Sequence, residues 1–146
     1  EYAIEITKVK EIILLEGVTR IPQVPDFIEG IINLRGNVIP VIDLRKRFNL
    51  PEAKKDEHTR IVVSRLEGRI IGLIVDSVSQ VMKILRSNIQ LPPETVANVA
   101  GEYLTGIAKM EDRMIILLDI EKILQASEYK ALSGITEAMQ HVTPQA

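Results

Sequence analysis

The sequence predicts an all-β protein built from two related small β modules in tandem. Three observations carry this reading. β-Branched aliphatics dominate, with 22 Ile and 13 Val against 14 Leu. Such residues lose rotamer freedom in helices and suit a pleated, half-buried surface. Apolar runs are short and separated by turn pairs, which reads as hairpins of a small barrel or sandwich rather than βαβ units. The third observation is an internal repeat, set out below.

The elements follow in chain order. Tyr2, Ile4 and Ile6 alternate with other residues, which predicts a strand over Tyr2–Ile6. Ile12–Leu15 forms a second run, closed by Gly17, and Pro22 and Pro25 mark an irregular segment. Ile31–Leu34 and Val38–Leu44 flank Arg35-Gly36-Asn37, a hairpin signal. Pro40 lies inside the second of these runs and predicts an edge strand or a bulge there. Arg60–Leu66 and Arg69–Val75 flank Glu67-Gly68, a tight turn of the primed type. Tyr103–Met110 and Arg113–Leu118 flank Glu111-Asp112, a third hairpin. In the tail, Ser127 is an N-cap candidate, and Leu132, Ile135, Met139 and Val142 recur at helical spacing. They predict a C-terminal amphipathic helix whose default fate is to dock on a barrel end.

The repeat aligns residues 30–48 with 106–124 without gaps, at an offset of 76. Gly30 matches Gly106, Ile31 matches Ile107, Ile39 matches Ile115, Asp43 matches Asp119 and Lys46 matches Lys122. A second echo, at an offset of 69, sets Ala3, Ile4, Val9 and Ile12 against Gly72, Leu73, Val78 and Val81. Two intertwined subdomains are expected, over roughly residues 1–66 and 67–125, with 126–146 as helix and tail. Each half is near the lower size limit for a stable core, so the halves are expected to pack together. Asp43 and Asp119 each close a strand and open a short helical turn (DLRKRF and DIEKIL), where an aspartate caps by accepting from backbone N–H groups. That structural role is a better fit than a catalytic carboxylate.

Composition excludes several function classes. The chain has 146 residues, 46% hydrophobic and 26% charged, which is globular composition. Lys plus Arg number 18 against 20 Asp plus Glu, and aromatics are only three Tyr and two Phe, so nucleic acid is not an expected partner. With no cysteine there is neither disulfide framework nor thiolate chemistry, which fits a reducing cytosol. No apolar run approaches the ~18 residues of a membrane span, and no signal-peptide pattern precedes the first strand-like segment. His58 and His141 lack ligand-spaced partners, and no HExxH, Walker, GxGxxG or GxSxG motif occurs, so neither metal nor cofactor is expected. The segment from Arg45 to Arg60 carries six cations and three carboxylates and reads as a solvated basic loop. The residues point to a binding module, not an enzyme.

Four stretches carry a family resemblance: EYAIEITKVKEI, VTRIPQVPDFIEGIINLRGNVIPVIDLRKRF, RIIGLIVDSVSQV and EYLTGIAKMEDRMIILLDIEKIL. They resemble the CheW chemotaxis coupling proteins from residue 1 to about residue 125. Pro25–Phe48 is the most specific part, with its Gly-x-x-Asn-Leu-Arg-Gly hairpin and Pro-x-x-Asp-Leu ending. The resemblance implies two SH3-like five-stranded β-barrels with short helical turns and a groove between the barrels. It implies a cytoplasmic adaptor, without catalysis, that joins chemoreceptor tips to the regulatory domain of the histidine kinase CheA. The same domain within CheV or CheA is the nearest alternative, a small-molecule-binding β module comes next, and an enzyme is remote. Family members usually have a further strand before Tyr2-Ala3-Ile4; without it one barrel has an open edge, which a swapped strand in a dimer could close.

Site residues come from the same resemblance. Arg35 matches the family's hairpin arginine, and Glu11 matches a glutamate near it. A Glu11–Arg35 pair is expected to orient a contact surface; an exposed pair adds little stability, so its importance lies in partner geometry. Gly36 completes the hairpin motif, and a tight turn needs Gly36 or Asn37 but not an arginine. Val9, Val78 and Val81 match positions at the inter-barrel groove, bordered by Gly30 and Asn33, where a receptor's helical hairpin would dock by aliphatic anchors. Pro93 and Glu94, in the Leu91–Thr95 loop, match a region used in lateral contacts with the kinase; two prolines in a row favour an extended, preformed edge.

Overall fold

The computed structural model describes residues 1–48, 50–51, 54–91 and 104–122. The expected C-terminal helix and the Pro93–Glu94 loop lie outside them. Strands dominate: β1 (Tyr2–Ala3), β2 (Val9–Leu14), β3 (Ile28–Leu34), β4 (Asn37–Asp43), β5 (Arg60–Leu66), β6 (Arg69–Val75), β7 (Ile89–Gln90), β8 (Leu104–Met110) and β9 (Arg113–Leu118). One short helix, α1 (Leu44–Arg47), follows β4, and 3-10 turns span Ile6–Lys8, Arg86–Asn88 and Ile120–Lys122. A five-stranded sheet has the order β2-β5-β6-β4-β3; the other, of four strands among the described residues, runs β1-β9-β8-β7.

Two compact units result, and they interleave along the chain. Among the described residues, one comprises 1–8 with 80–91 and 104–122, and the other comprises 9–48, 50–51 and 54–79. The boundary expected near residues 66 and 67 falls inside the β5–β6 hairpin. Those strands pair without interruption from Arg60↔Val75 to Leu66↔Arg69, so they cannot be divided between units. The N-terminus instead joins the later strands: Tyr2 and Ala3 pair in parallel with Ile116 and Leu117 of β9. The expected strand over Tyr2–Ile6 accordingly stops at Ala3. The Lys8 N–H donates to the Glu5 carbonyl at 3.0 Å, turning the chain before β2 begins.

The repeat seen in the sequence is a repeat of pairing. β3–β4 and β8–β9 are antiparallel hairpins, each with a register shift one residue ahead of the matched glycine, at Ile28/Gly30 and Leu104/Gly106. β4 pairs in parallel with β6 through Val41↔Gly72, and β9 pairs in parallel with β1 through Leu117↔Ala3. Both offsets, 76 and 69, are satisfied by that one correspondence. Thr19↔Ile31 in one unit likewise answers Gln90↔Ile107 in the other. The aspartates cap as expected: Asp43 Oδ1 accepts from the Arg45 N–H at 3.0 Å, and Asp119 Oδ1 accepts from the Glu121 N–H at 3.2 Å. The second repeat is less complete, since Val9–Leu14 is a strand whereas its counterpart, residues 78–83, is not.

Pro40 departs from expectation, because β4 is an interior strand between β6 and β3. Its tolerance has a geometric cause. Ile31, opposite Pro40, spends both backbone groups on Thr19, donating at 2.9 Å and accepting at 2.8 Å. Ile31 and Pro40 are therefore a non-hydrogen-bonded pair, and the proline nitrogen faces away from β3. On the β6 side the ladder begins only at Val41. The missing donor costs the β3 ladder no bond and falls just ahead of the β6 ladder.

One core cluster of the five-stranded unit is Ile32, Ile39, Val41, Ile61, Val63 and Ile74, with Ile13, Leu15, Val18, Leu34 and Ile70 packed against it. All six are β-branched, while Leu66 and Leu73 of the same sheet are buried outside this cluster. The register puts Ile61 opposite Ile74 and Ile32 opposite Ile39, so the cluster occupies one face of the sheet. The glycines at the register shifts admit close crossings. A Cβ at Gly30 would lie 2.1 Å from the Thr19 carbonyl oxygen, and one at Gly106 would lie 2.9 Å from the Gln90 carbonyl oxygen.

Candidate functional site

The β3–β4 turn builds the first part of the site. Arg35 and Gly36 occupy its two central positions with φ of 51° and 85°, the primed pattern that matches the twist of a hairpin. Asn33 Oδ1 accepts a 2.9 Å hydrogen bond from the Gly36 N–H, which fixes the turn from within. A left-handed backbone suits Gly or Asn and disfavours arginine. Glu67 and Glu111 hold the same position in the other two hairpins, with φ of 52° and 55°. Glu111 is the repeat counterpart of Arg35, so the fold accommodates either charge there.

Arg35 reaches from this turn to β2. Its Nη2 donates to Glu11 Oε2, in a pair whose side chains are 67% and 25% exposed respectively. Glu11 is presented by a register shift in the β2–β5 ladder, where Val9 faces Ser64 and Glu11 faces Val63. The carboxylate beside it raises the Arg35 pKa further above its ordinary value, so the guanidinium is charged at every relevant pH. The expected pair therefore exists, with the carboxylate half-sheltered and the planar cation presented outward. That arrangement suits recognition of a carboxylate or carbonyl on a partner.

The remaining expected residues divide. Gly36 and Asn33 sit in the same turn, and their visible work is to shape it. Gly30 lies against the Thr19 backbone and is a packing position. Val9 opens β2 and is half-buried. Val78 and Val81 lie outside any strand and are 44% and 74% exposed. Val9 and Val78 belong to the five-stranded unit and Val81 to the other.

The loop expected to be a solvated basic surface is exposed over residues 54–58, and Lys46 and Lys55 of that segment also gather around one carboxylate. Glu29, on β3, has a side chain only 10% exposed, and Lys46 and Lys55 each approach it to 3.2 Å, with Arg20 at 3.6 Å. Burial alone would raise its pKa. The hydrogen bonds from Lys55 and Lys46 outweigh that and hold it below the ordinary 4.5. The signal in the sequence was a lone carboxylate in an apolar run, which gains meaning only when the loop folds over it. Because the folded pKa is depressed, Glu29 contributes stability fully above about pH 4.5, and this is lost as pH falls through the folded value. Glu29→Gln is expected to cost about 1–3 kcal/mol at neutral pH, since it removes the carboxylate that Lys46 and Lys55 share and, among the described residues, leaves Lys55 only Asp43 at 3.7 Å. Urea unfolding from pH 7 to pH 3 checks this: the gap between wild type and variant should narrow as pH falls below about 4.5.

Two β units, an ion pair at an exposed turn and aliphatic side chains open to solvent are features that suit a scaffold. The model of the CheW-like domain family matches residues 1–128. The chain belongs to the CheW family. It is 41% identical to the chemotaxis protein CheW of Klebsiella aerogenes over 138 residues, covering 94% of this chain and 83% of that protein. The chemotaxis protein CheW of Bacillus subtilis is also 41% identical, over 85% of this chain and 80% of that protein. Among solved structures, the scaffolding protein TtCheW from Thermoanaerobacter tengcongensis matches with a TM-score of 0.79 and 40% identity, covering 87% of this chain and 86% of that one. No helix among the described residues is long and apolar enough to cross a membrane.

Proposed function

We propose that this protein is the coupling adaptor of a cytoplasmic chemosensory array, joining chemoreceptor tips to the regulatory domain of CheA. The observation that carries the reading is Arg35. Its backbone conformation disfavours arginine, its repeat counterpart is a glutamate, and its guanidinium is nonetheless oriented by Glu11 and two-thirds exposed. A residue held against local preference and turned to solvent serves a partner better than it serves the fold. Val9, Val78 and Val81 are the proposed aliphatic anchors for the receptor's helical hairpin, and the exposure of Val78 and Val81 supports that role. Pro93 and Glu94 are the proposed lateral contact with the kinase. The adaptor acts by holding the kinase against the receptors, so that changes in receptor packing reach it through protein contacts.

The test is a pair of amide NMR titrations on the intact chain, one with a receptor-tip fragment and one with the kinase regulatory domain. Shifts at Val9, Val78 and Val81 are expected for the first, and shifts at a separate surface that includes residues 91–95 for the second. Val78→Trp should weaken receptor-tip binding at least tenfold, about 1.4 kcal/mol, with its melting temperature unchanged. A folded Val78→Trp variant of undiminished affinity contradicts the anchor assignment. Saturation by a small apolar ligand, with no response to either protein, favours the small-molecule module instead.

A further inference from the structure

Two ion pairs sit where the chain passes from one unit to the other. The described crossings are at Lys8/Val9 and Ser79/Gln80. At the first, Lys8 Nζ lies 2.7 Å from Glu121 Oε1, in the 3-10 turn that follows β9. Near the second, Asp76 is gripped by Arg45 of α1: Nε donates to Oδ1 at 2.8 Å and to Oδ2 at 2.9 Å, and Nη2 donates to Oδ2 at 2.5 Å. Arg45 Nη1 also donates to the Pro51 carbonyl at 2.8 Å, which fixes the guanidinium from its far side. A forked grip of this kind specifies orientation as well as proximity.

The two pairs correspond under the repeat. Arg45 and Glu121 are equivalent at the offset of 76, each the second residue after a capping aspartate. Asp76 falls opposite Thr7 at the offset of 69, one residue from Lys8. Each unit thus ties its post-hairpin turn to the segment that leaves its parallel-paired strand, β6 or β1. The charges are reversed between the two: cation on the turn and anion on the connector in one unit, the opposite in the other. Both pairs also favour the charged forms, since Arg45 lowers the pKa of Asp76 and Glu121 raises that of Lys8.

We propose that Arg45–Asp76 and Lys8–Glu121 are matched clamps that hold the two connectors taut, so that a partner's effect on one unit passes along fixed rather than slack chain. The second half of this rests on the adaptor reading; the first half does not. Arg45 and Asp76 are positioning residues and touch no proposed contact.

The experiment measures backbone 15N order parameters on the full chain, for wild type, Arg45→Glu, Glu121→Lys and the exchanged pairs Arg45→Glu/Asp76→Arg and Lys8→Glu/Glu121→Lys. In wild type, residues 76–80 and 6–8 are expected near the rigid value of about 0.85. Each single reversal should drop its own connector below about 0.6 and leave the other unchanged. Each exchanged pair should restore it, because the opposite unit already works with that polarity. In a receptor–kinase reconstitution, the single variants should lose at least about fivefold in kinase stimulation while binding each isolated partner within about twofold of wild type. Order parameters unchanged by the single reversals overturn the clamps. So does a drop spread evenly through the strands, which would mean a general loss of folding. If the connectors loosen and recover as stated while wild type itself fails to stimulate kinase, the clamps stand and the adaptor reading falls.

Discussion

Arg35→Glu is expected to abolish kinase coupling while the protein stays folded. The reversal places a second carboxylate against Glu11, so the side chain swings away and the outward cation is lost. The turn itself tolerates the change, because Glu67 and Glu111 occupy the same position in the sister hairpins at nearly the same φ. A fall in kinase stimulation of about a hundredfold is expected, with a melting temperature within ~2 °C of wild type. Arg35→Asn separates the two roles of the position. Asparagine adopts the left-handed conformation more readily than arginine, so the melting temperature should hold or rise while coupling is still lost. Reconstituted kinase assays beside thermal melts check both variants. Full coupling by a folded Arg35→Glu protein contradicts the assignment of this residue to a partner.

Gly30→Ala is expected to give the largest loss of stability of any glycine-to-alanine change among the described residues. Its Cβ would stand 2.1 Å from the Thr19 carbonyl oxygen and 2.8 Å from the carbonyl carbon. Those are backbone atoms, fixed by the reciprocal Thr19–Ile31 hydrogen bonds of 2.8 and 2.9 Å, so no side chain can swing aside to make room. Relief requires breaking that bridge and shifting the segment that carries Val18, which packs on the core. A cost of about 3 kcal/mol or more is expected, at the upper end for overpacking. Gly36→Ala is the control, because no heavy atom lies within 4 Å of its Cβ and only the positive φ is penalised. It should cost about 1 kcal/mol. Chemical denaturation of the two variants checks the contrast; equal losses would mean that backbone conformation, not the close crossing, dominates at Gly30.

Features encoded over a few neighbouring residues were legible before any coordinates. Glu67-Gly68 announced its hairpin because a two-residue primed turn demands particular backbone angles, and Arg35-Gly36-Asn37 marked another, whose turn takes only Arg35 and Gly36. Asp43 and Asp119 announced their caps because an aspartate before a helical turn bonds to its own near backbone. The Glu11–Arg35 pair was anticipated only through family likeness, since nothing in the spacing of residues 11 and 35 links them. Pro40 misled because its rule is stated for a strand alone. Whether the missing donor costs anything depended on where Ile31 sends its hydrogen bonds and where the β6 ladder begins.

By itself, the sequence determined the all-β character, the hairpins, the capped turns and the duplication. Each follows from propensity, periodicity and turn chemistry, which act over about ten residues. Only the tertiary structure decided that Tyr2–Ala3 pairs with β9, that β5 and β6 stay in one unit, and that Glu29 and Asp76 gather cations from α1 and its loop. Parallel pairing and side-chain salt links join residues tens of positions apart. No local preference encodes them; they are selected by the packing of the whole chain.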